Sequence, residues 1–358
     1  MKTKRIVFMP FLLIVAFLFA TFTSTARTGE IVKKKEMSRT FPVGKNDLLY
    51  IDNCYGTITV SHWNRSDAEI SVVVESKASR EASAVRNLDR VSIKLGKTGS
   101  RVSAVTSVAS GWNGNSNNEH ITINYTISIP SDMSIELDQK YGNIYLPGTN
   151  GGESNLTVKY GNIQAGSFTK ALVVDAKYSD VRLKDLENVK MILGYSGETS
   201  FGNAKSAVIE SKYSNIKSEG KIASLTIKKE YGNANLREVE KAIIDAKYSK
   251  FKIGAVSQEI MANALDYSTL EITELSPSFN RITMGARYGN VEIGISTTAS
   301  FTLRANNMKY GSVKTSGLKE TKSEITNKEN YLKEINGGGR GLITLDGKSY
   351  SNITVKAR

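Results

Sequence analysis

The stretches KYGNIYL (140–146), KYGNIQA (159–165), KYSDVRL (177–183), KYSNIKS (212–218), KYSKFKI (247–253) and RYGNVEI (287–293) are copies of one short unit. Of the 16 tyrosines, 13 belong to its series: Tyr55, then Tyr141, Tyr160, Tyr178, Tyr195, Tyr213, Tyr231, Tyr248, Tyr267, Tyr288, Tyr310, Tyr331 and Tyr350. From Tyr141 onward the intervals are 19, 18, 17, 18, 18, 17, 19, 21, 22, 21 and 19 residues. Every member except Tyr331 is followed by Gly or Ser. A period near 20 residues sustained over this length signals a stacked array of supersecondary units.

Within each copy the period is two. Counting back from Tyr178, Ala176, Val174 and Leu172 share one face, while Lys177, Asp175 and Val173 share the other. Tyr231 gives Lys229, Ile227 and Leu225 on the core parity, and Tyr248 gives Ala246, Ile244 and Ala242. A second short alternation follows each corner, as at Ile144 and Leu146 or Val291 and Ile293. Two short strands and a tight corner leave no room for a crossover helix. The unit cannot bury its apolar face alone, so the pattern predicts an all-β chain wound as a parallel β-solenoid (β-helix) of about twelve coils, each 17–22 residues long. Eleven steps at about 4.8 Å make a rod on the order of 50 Å long.

At the corners Gly56, Gly142, Gly161, Gly232, Gly289 and Gly311 alternate with Ser, so smallness rather than positive φ is the shared requirement. The tyrosines keep the parity of the core residues. They are expected to form a structural ladder of stacked rings with hydroxyls outward.

Between Tyr55 and Tyr141 the series is interrupted by 86 residues. Strand patterns at 68–76, 91–95, 101–108 and 121–129, a short helix within 79–89 and a flexible loop GWNGNSNN (111–118) predict a small antiparallel insert that caps the array. Toward the other end the copies loosen: 320–335 is polar, GGGRG (337–341) is a turn, and 343–356 restores a final coil. The chain begins with a basic MKTKR, an apolar run over 6–22 and small residues at 24–26, the pattern of a secretory leader cleaved near Ala26. An uncleaved anchor is the alternative, because the run approaches the length of a membrane span. The expected organisation is 1–26 leader, 27–47 lead-in, 48–135 first coil with insert, and 136–358 repeat domain. No transmembrane span is expected after cleavage.

The Y-G/S-N-I-x-L repeat, the strand-rich insert and the leader together resemble the bacterial putative-adhesin family over roughly 48–355. The resemblance implies an envelope-associated β-solenoid with no catalytic signature to carry over. It implies export to the periplasm, the outer surface or the medium.

Composition narrows the chemistry. With 2 His and 1 Cys there is no material for a disulfide framework or a multi-Cys zinc site. P-loop, dinucleotide, HExxH, GxSxG and GGxGxD patterns are all absent, so no cofactor and no metal is expected. His62 and His120 read as satisfied or solvent-facing residues. The excess of 48 Lys and Arg over 35 Asp and Glu sets a formal charge of +13, which becomes +10 without Lys2, Lys4 and Arg5. Part of the excess is patterned. Lys140, Lys159, Lys177, Lys212, Lys247, Arg287 and Lys309 all precede a repeat tyrosine and would line one outer edge. Bare like charges at strand spacing repel, and an anionic polysaccharide or lipid headgroups would relieve them. Against that stand Asp138, Asp175, Glu210 and Asp245, two residues before a ladder Lys, and Glu230 and Asp266 within the row; such interleaving also describes an ordinary solvated face. Nucleic acid is a poor partner for an exported chain with matched acids.

The expectation is an exported, non-enzymatic envelope protein, adhesin-like or structural, that contacts an anionic glycan or another envelope protein. One alternative is a polysaccharide lyase or hydrolase on a β-helix, which would need converging carboxylates. Another is an envelope-stress component that binds a protein through its N-terminal cap.

Overall fold

The computed structural model describes residues 24–25, 30–112, 114–116 and 118–358; the expected leader lies, apart from 24–25, outside the described residues. The described chain is all-β, with Glu81–Asp89 as its one helix among the described residues and its strands joined in a 27-stranded sheet of mixed orientation. Successive repeat units pair in parallel along two ladders. In the first, Ser134–Lys140, Ser154–Lys159, Phe168–Lys177, Leu186–Gly194 and Ala204–Lys212 follow one another in register. In the second, Thr57–Trp63, Asn143–Leu146, Asn162–Ala165, Asp180–Arg182 and Glu198–Phe201 do the same. Strand pairing continues without a break through Asn215–Asp266, across the corners at Tyr231 and Tyr248.

The alternating pattern is realised residue by residue. Leu172, Val174 and Ala176 are buried, as are Ile144, Leu146, Ile163, Val181, Ile227 and Ile244. They join one continuous apolar core running from Phe41 to Val355. Each fully buried Ile, Leu or Val contributes about 1.5–3 kcal/mol, which makes this shared core the main source of cohesion.

The corners differ from the expectation in one respect. The unusual backbone angle belongs to the tyrosine: twelve repeat tyrosines, from Tyr55 to Tyr350, have φ between 46° and 59°. Of the six corner glycines only Gly232 has a positive φ, at 107°. The left-handed turn swings each ring out of the core although the residue keeps core parity. The next residue turns inward, and Ser179, Ser196, Ser214, Ser249, Ser268 and Ser351 are buried. At a glycine corner the neighbouring coil excludes even a Cβ: one on Gly161 would lie 1.7 Å from the Gly142 carbonyl oxygen. The corner backbone stays bonded throughout, for example Tyr141 N–H to Lys159 O at 2.9 Å and Tyr178 N–H to Gly194 O at 3.0 Å.

The insert forms the expected strands, as Asp67–Ala78, Val91–Thr98, Arg101–Val108 and Glu119–Pro130. Asp67–Ala78 pairs antiparallel with Ile31–Pro42 on one side and Glu119–Pro130 on the other, and Val91–Thr98 pairs antiparallel with Arg101–Val108. The insert is not antiparallel throughout. Arg101–Val108 and Glu119–Pro130 add in parallel to Leu48–Cys54 and Thr57–Trp63.

At the other end spatial order departs from chain order. Gly341–Ser349 lies between Arg281–Arg287 and Phe301–Asn306, parallel to both, and Asn352–Ala357 lies between Asn290–Ile295 and Ser312–Ser316. The last coil therefore fills a slot between two earlier ones. Tyr331 is not a ladder member: it pairs with Ile325 in an antiparallel hairpin of Glu320–Thr326 and Asn330–Ile335.

Candidate functional site

The positive-φ corners place a single file of rings on the outside. Tyr55, Tyr141, Tyr160, Tyr178, Tyr195, Tyr213, Tyr231, Tyr248, Tyr267, Tyr288, Tyr350 and Tyr310 stack in that order, with centroids 4.6–5.3 Å apart. The inversion of Tyr350 and Tyr310 reflects the inserted last coil. Ring faces are covered by ring faces, so the ladder offers its edges and hydroxyls to solvent, while flat ligands find no open face along its length.

Beside this file runs the predicted basic row. Lys140, Lys159 and Lys177 are direct register partners, followed by Gly194 and Lys212. Lys212 Nζ is 3.3 Å from Glu230, Arg287 is 2.7 Å from Asp266, and Lys177 is 3.9 Å from Asp175. The hydrogen bond and charge of Glu230 raise the Lys212 pKa, and those of Asp266 raise that of Arg287. Lys140 and Lys159 have no carboxylate within ion-pair distance among the described residues; each ammonium lies over its own tyrosine, 5.1 and 5.4 Å from the centroid. Lys212, Lys247 and Lys309 are placed over theirs in the same way, at 5.8, 5.6 and 5.4 Å. The row is thus bare at Lys140 and Lys159, loosely paired at Lys177 and neutralised at 212–230 and 266–287.

The acids proposed as a carboxylate set do not converge. In register Asp138 and Asp175 are separated by Thr157, Asp175 and Glu210 by Ile192, and Glu210 is followed by Lys228. One adjacent pair was not foreseen: Asp52 lies directly opposite Asp138. Burial, and then the Asp138 charge, raise the pKa of Asp52. His62 is satisfied by Asn150 Oδ1 at 3.2 Å, and burial lowers its pKa. Among the described residues no group of three His, Cys, Asp or Glu could hold a metal ion.

Two further features carried a sequence signal that went unread. The Asn or Asp of the repeat caps the next coil: the side-chain oxygens of Asn143, Asn162, Asp180 and Asn215 accept the backbone N–H of residues 162, 180, 198 and 233, each at 3.0 Å. Lys229, at a core-parity position, is completely buried. Its ammonium donates to Ser211 Oγ at 3.3 Å, to the Ser214 carbonyl and to the Tyr231 carbonyl at 3.5 Å. Burial pushes its pKa down to about 8. This coil carries Gly232 where its neighbours at 214 and 249 carry a corner serine, so the ammonium and the missing hydroxyl occur together.

Neither a family model nor a curated protein matches the chain. The chain is similar to the solved structure of a "putative cell adhesion protein" from Clostridium sporogenes, at 11% identity over 91% of this chain and 100% of that one, with a TM-score of 0.21. It is similar to a "putative adhesin" from Bacteroides fragilis, at 12% identity over 90% and 97%, with a TM-score of 0.33. It is also similar to a "putative lipid binding protein" from Parabacteroides distasonis, at 10% identity over 89% and 96%, with a TM-score of 0.30. The adhesin names match the family that the repeat resembles, and the functional reading rests on the geometry above.

Proposed function

We propose that the chain is an exported, non-enzymatic envelope protein: a rigid parallel β-solenoid whose basic edge contacts an anionic polysaccharide. The observation that carries this reading is the run Lys140–Lys159–Lys177, three cations in strict register. Like charges at a strand spacing of about 4.8 Å repel, and a polymer with regularly spaced carboxylates or sulfates offsets that repulsion along its length. The ammonium groups of Lys140 and Lys159 lie beside the column, 5.1 and 5.4 Å from the centroids of their own tyrosines. The contact centres on Lys140 and Lys159, with Lys177 only loosely held by Asp175 at 3.9 Å, because Lys212 and Arg287 have closer carboxylate partners. No helix among the described residues is long and apolar enough to cross a membrane.

The test is binding of polygalacturonate, with neutral dextran as control, followed together with release of reducing ends. Binding should weaken as ionic strength rises. Replacing Lys140, Lys159 and Lys177 by Gln should reduce affinity at least about tenfold, a loss of about 1.4 kcal/mol. Lys212→Gln should change it little. Equal losses from both variants would remove the assignment to the bare segment.

Asp52 and Asp138 support one second reading. Opposed carboxylates at strand spacing are close to the roughly 5–5.5 Å separation used by retaining glycosidases, and the raised Asp52 would serve as the acid. Release of reducing ends that disappears in Asp52→Asn would establish that reading in place of the non-enzymatic one.

A further inference from the structure

Two clefts on the outer face of the second ladder open into each other. One, of about 620 Å³, lies between the loop at Gly114 and Asn115 and the corner residues Tyr55 and Tyr141. The other, of about 360 Å³, lies over Tyr145, Gln164 and Arg182. Thr57 and Asn143 line both, so the two form one groove.

The floor of the groove consists of two rows of side chains from successive coils. Thr59, Tyr145, Gln164 and Arg182 are register partners in one row. The other contains the capping residues Asn124, Asn143 and Asn162. Because each of these asparagines uses its Oδ1 to accept a backbone N–H, its Nδ2 is left facing away as a donor. The side chain of Gln164 and the hydroxyls of Thr57, Thr59 and Tyr145 make no hydrogen bond among the described residues. No carboxylate lines either cleft. The cation Arg182 is 3.5 Å from the Asp180 carboxylate, which offsets its charge.

Tyr145 departs from the repeat. It is 39% exposed, and its register partners are Thr59 and Gln164 rather than rings. Ladder tyrosines cover each other's faces; the face of Tyr145 has no aromatic neighbour among the described residues. A half-exposed ring without an aromatic partner, lining a concave site of amide donors and hydroxyls without net charge, suits a sugar ring: its C–H face packs on the aromatic ring and its hydroxyls bond the amides.

We propose that this groove binds a neutral oligosaccharide, with Tyr145 as the stacking platform and Asn143, Asn162 and Gln164 as the hydrogen-bonding floor. From the level of Asn124 to that of Arg182 is four coil steps, about 19 Å, enough for a short run of sugar units. The site is separate from the lysine row and does not depend on the binding assigned to it.

The experiment titrates the purified protein with cellohexaose, mannohexaose and the β-1,4-linked hexamer of N-acetylglucosamine, by calorimetry and saturation-transfer NMR, at low and high salt. At least one should bind, with affinity changing less than about twofold with salt. Tyr145→Ala should weaken it about tenfold or more, and Tyr145→Phe should keep most of it. The Lys140, Lys159 and Lys177 to Gln variant should bind as tightly as the parent. Circular dichroism checks that each variant keeps its strand content, which is expected for changes on an exposed face. The proposal is overturned if none of the three hexasaccharides binds, if Tyr145→Ala binds as well as the parent, or if the triple lysine variant loses the binding.

Discussion

Replacing Lys229 with Met tests how the core tolerates the one buried ammonium among the described residues. In the folded chain the pKa of this group is about 8, against an unperturbed 10.5, because burial disfavours the charged form. That lowering corresponds to about 3 kcal/mol of penalty on the protonated state. The sign follows from proton counting. Between about pH 8 and 10.5 the unfolded chain holds a proton that the folded chain has released, so stability rises with pH across that window. From pH 7 to pH 9.5 the parent should gain about 2 kcal/mol from this group alone, and Lys229→Met should gain none of it. All other groups are common to both proteins and cancel in the difference. The measurement is urea unfolding of both proteins at several pH values over this range, read as the difference in unfolding free energy. A difference that stays flat within error would show that the ammonium is compensated by Ser211, Ser214 and Tyr231 and that the desolvation argument is wrong.

Three other outcomes follow from the corners and caps. Tyr213→Ala loses two ring stacks while keeping a Cβ in the left-handed region, so it should cost about 1–3 kcal/mol; Tyr213→Gly should recover about 1 kcal/mol of that in thermal or chemical unfolding. Gly161→Ala would press a methyl 1.7 Å from the Gly142 carbonyl oxygen and should abolish soluble expression, whereas at Gly194 the nearest atom is Lys177 Cγ at 3.6 Å and Ala should be tolerated or slightly stabilising. Asn162→Ala removes the acceptor for the Asp180 N–H and should destabilise by about 0.5–1.5 kcal/mol, seen as faster amide hydrogen exchange at 180.

Much of this structure is legible in the sequence because one periodicity is written many times. The alternation at Leu172, Val174 and Ala176 recurs at Ile244 and Ala246, and the structure buries each of them. Other features escape for specific reasons. Tyr331 has the right interval and lacks the small residue after it; the interval was coincidence, and the missing Gly or Ser was the better signal. The inserted last coil is hidden because spacing along a chain records order in sequence, and nothing in 341–357 says that it pairs on both sides. Within the groove, Tyr145 was visible as an aromatic at an outward position where other copies carry Gln164, Arg182 or Lys217. The repeat tyrosines drew attention away from it.

The left-handed tyrosines explain why the proposed binding surfaces lie where they do. A non-glycine residue in that region costs about 1–2 kcal/mol, and Gly would avoid the cost. Stacking contributes about 0.5–1.5 kcal/mol per ring pair, with eleven pairs for twelve corners, so each coil roughly recovers its backbone cost through its neighbours. Tyrosine at this position is therefore stable only as part of a column, and the column consumes the aromatic faces that a ligand would use. The two proposed sites use what the column does not occupy: the ammonium groups beside it at Lys140 and Lys159, and the unstacked ring of Tyr145 one strand away. The two sites differ in charge, and salt should separate them in a single titration series, weakening polygalacturonate binding and sparing the neutral hexasaccharides.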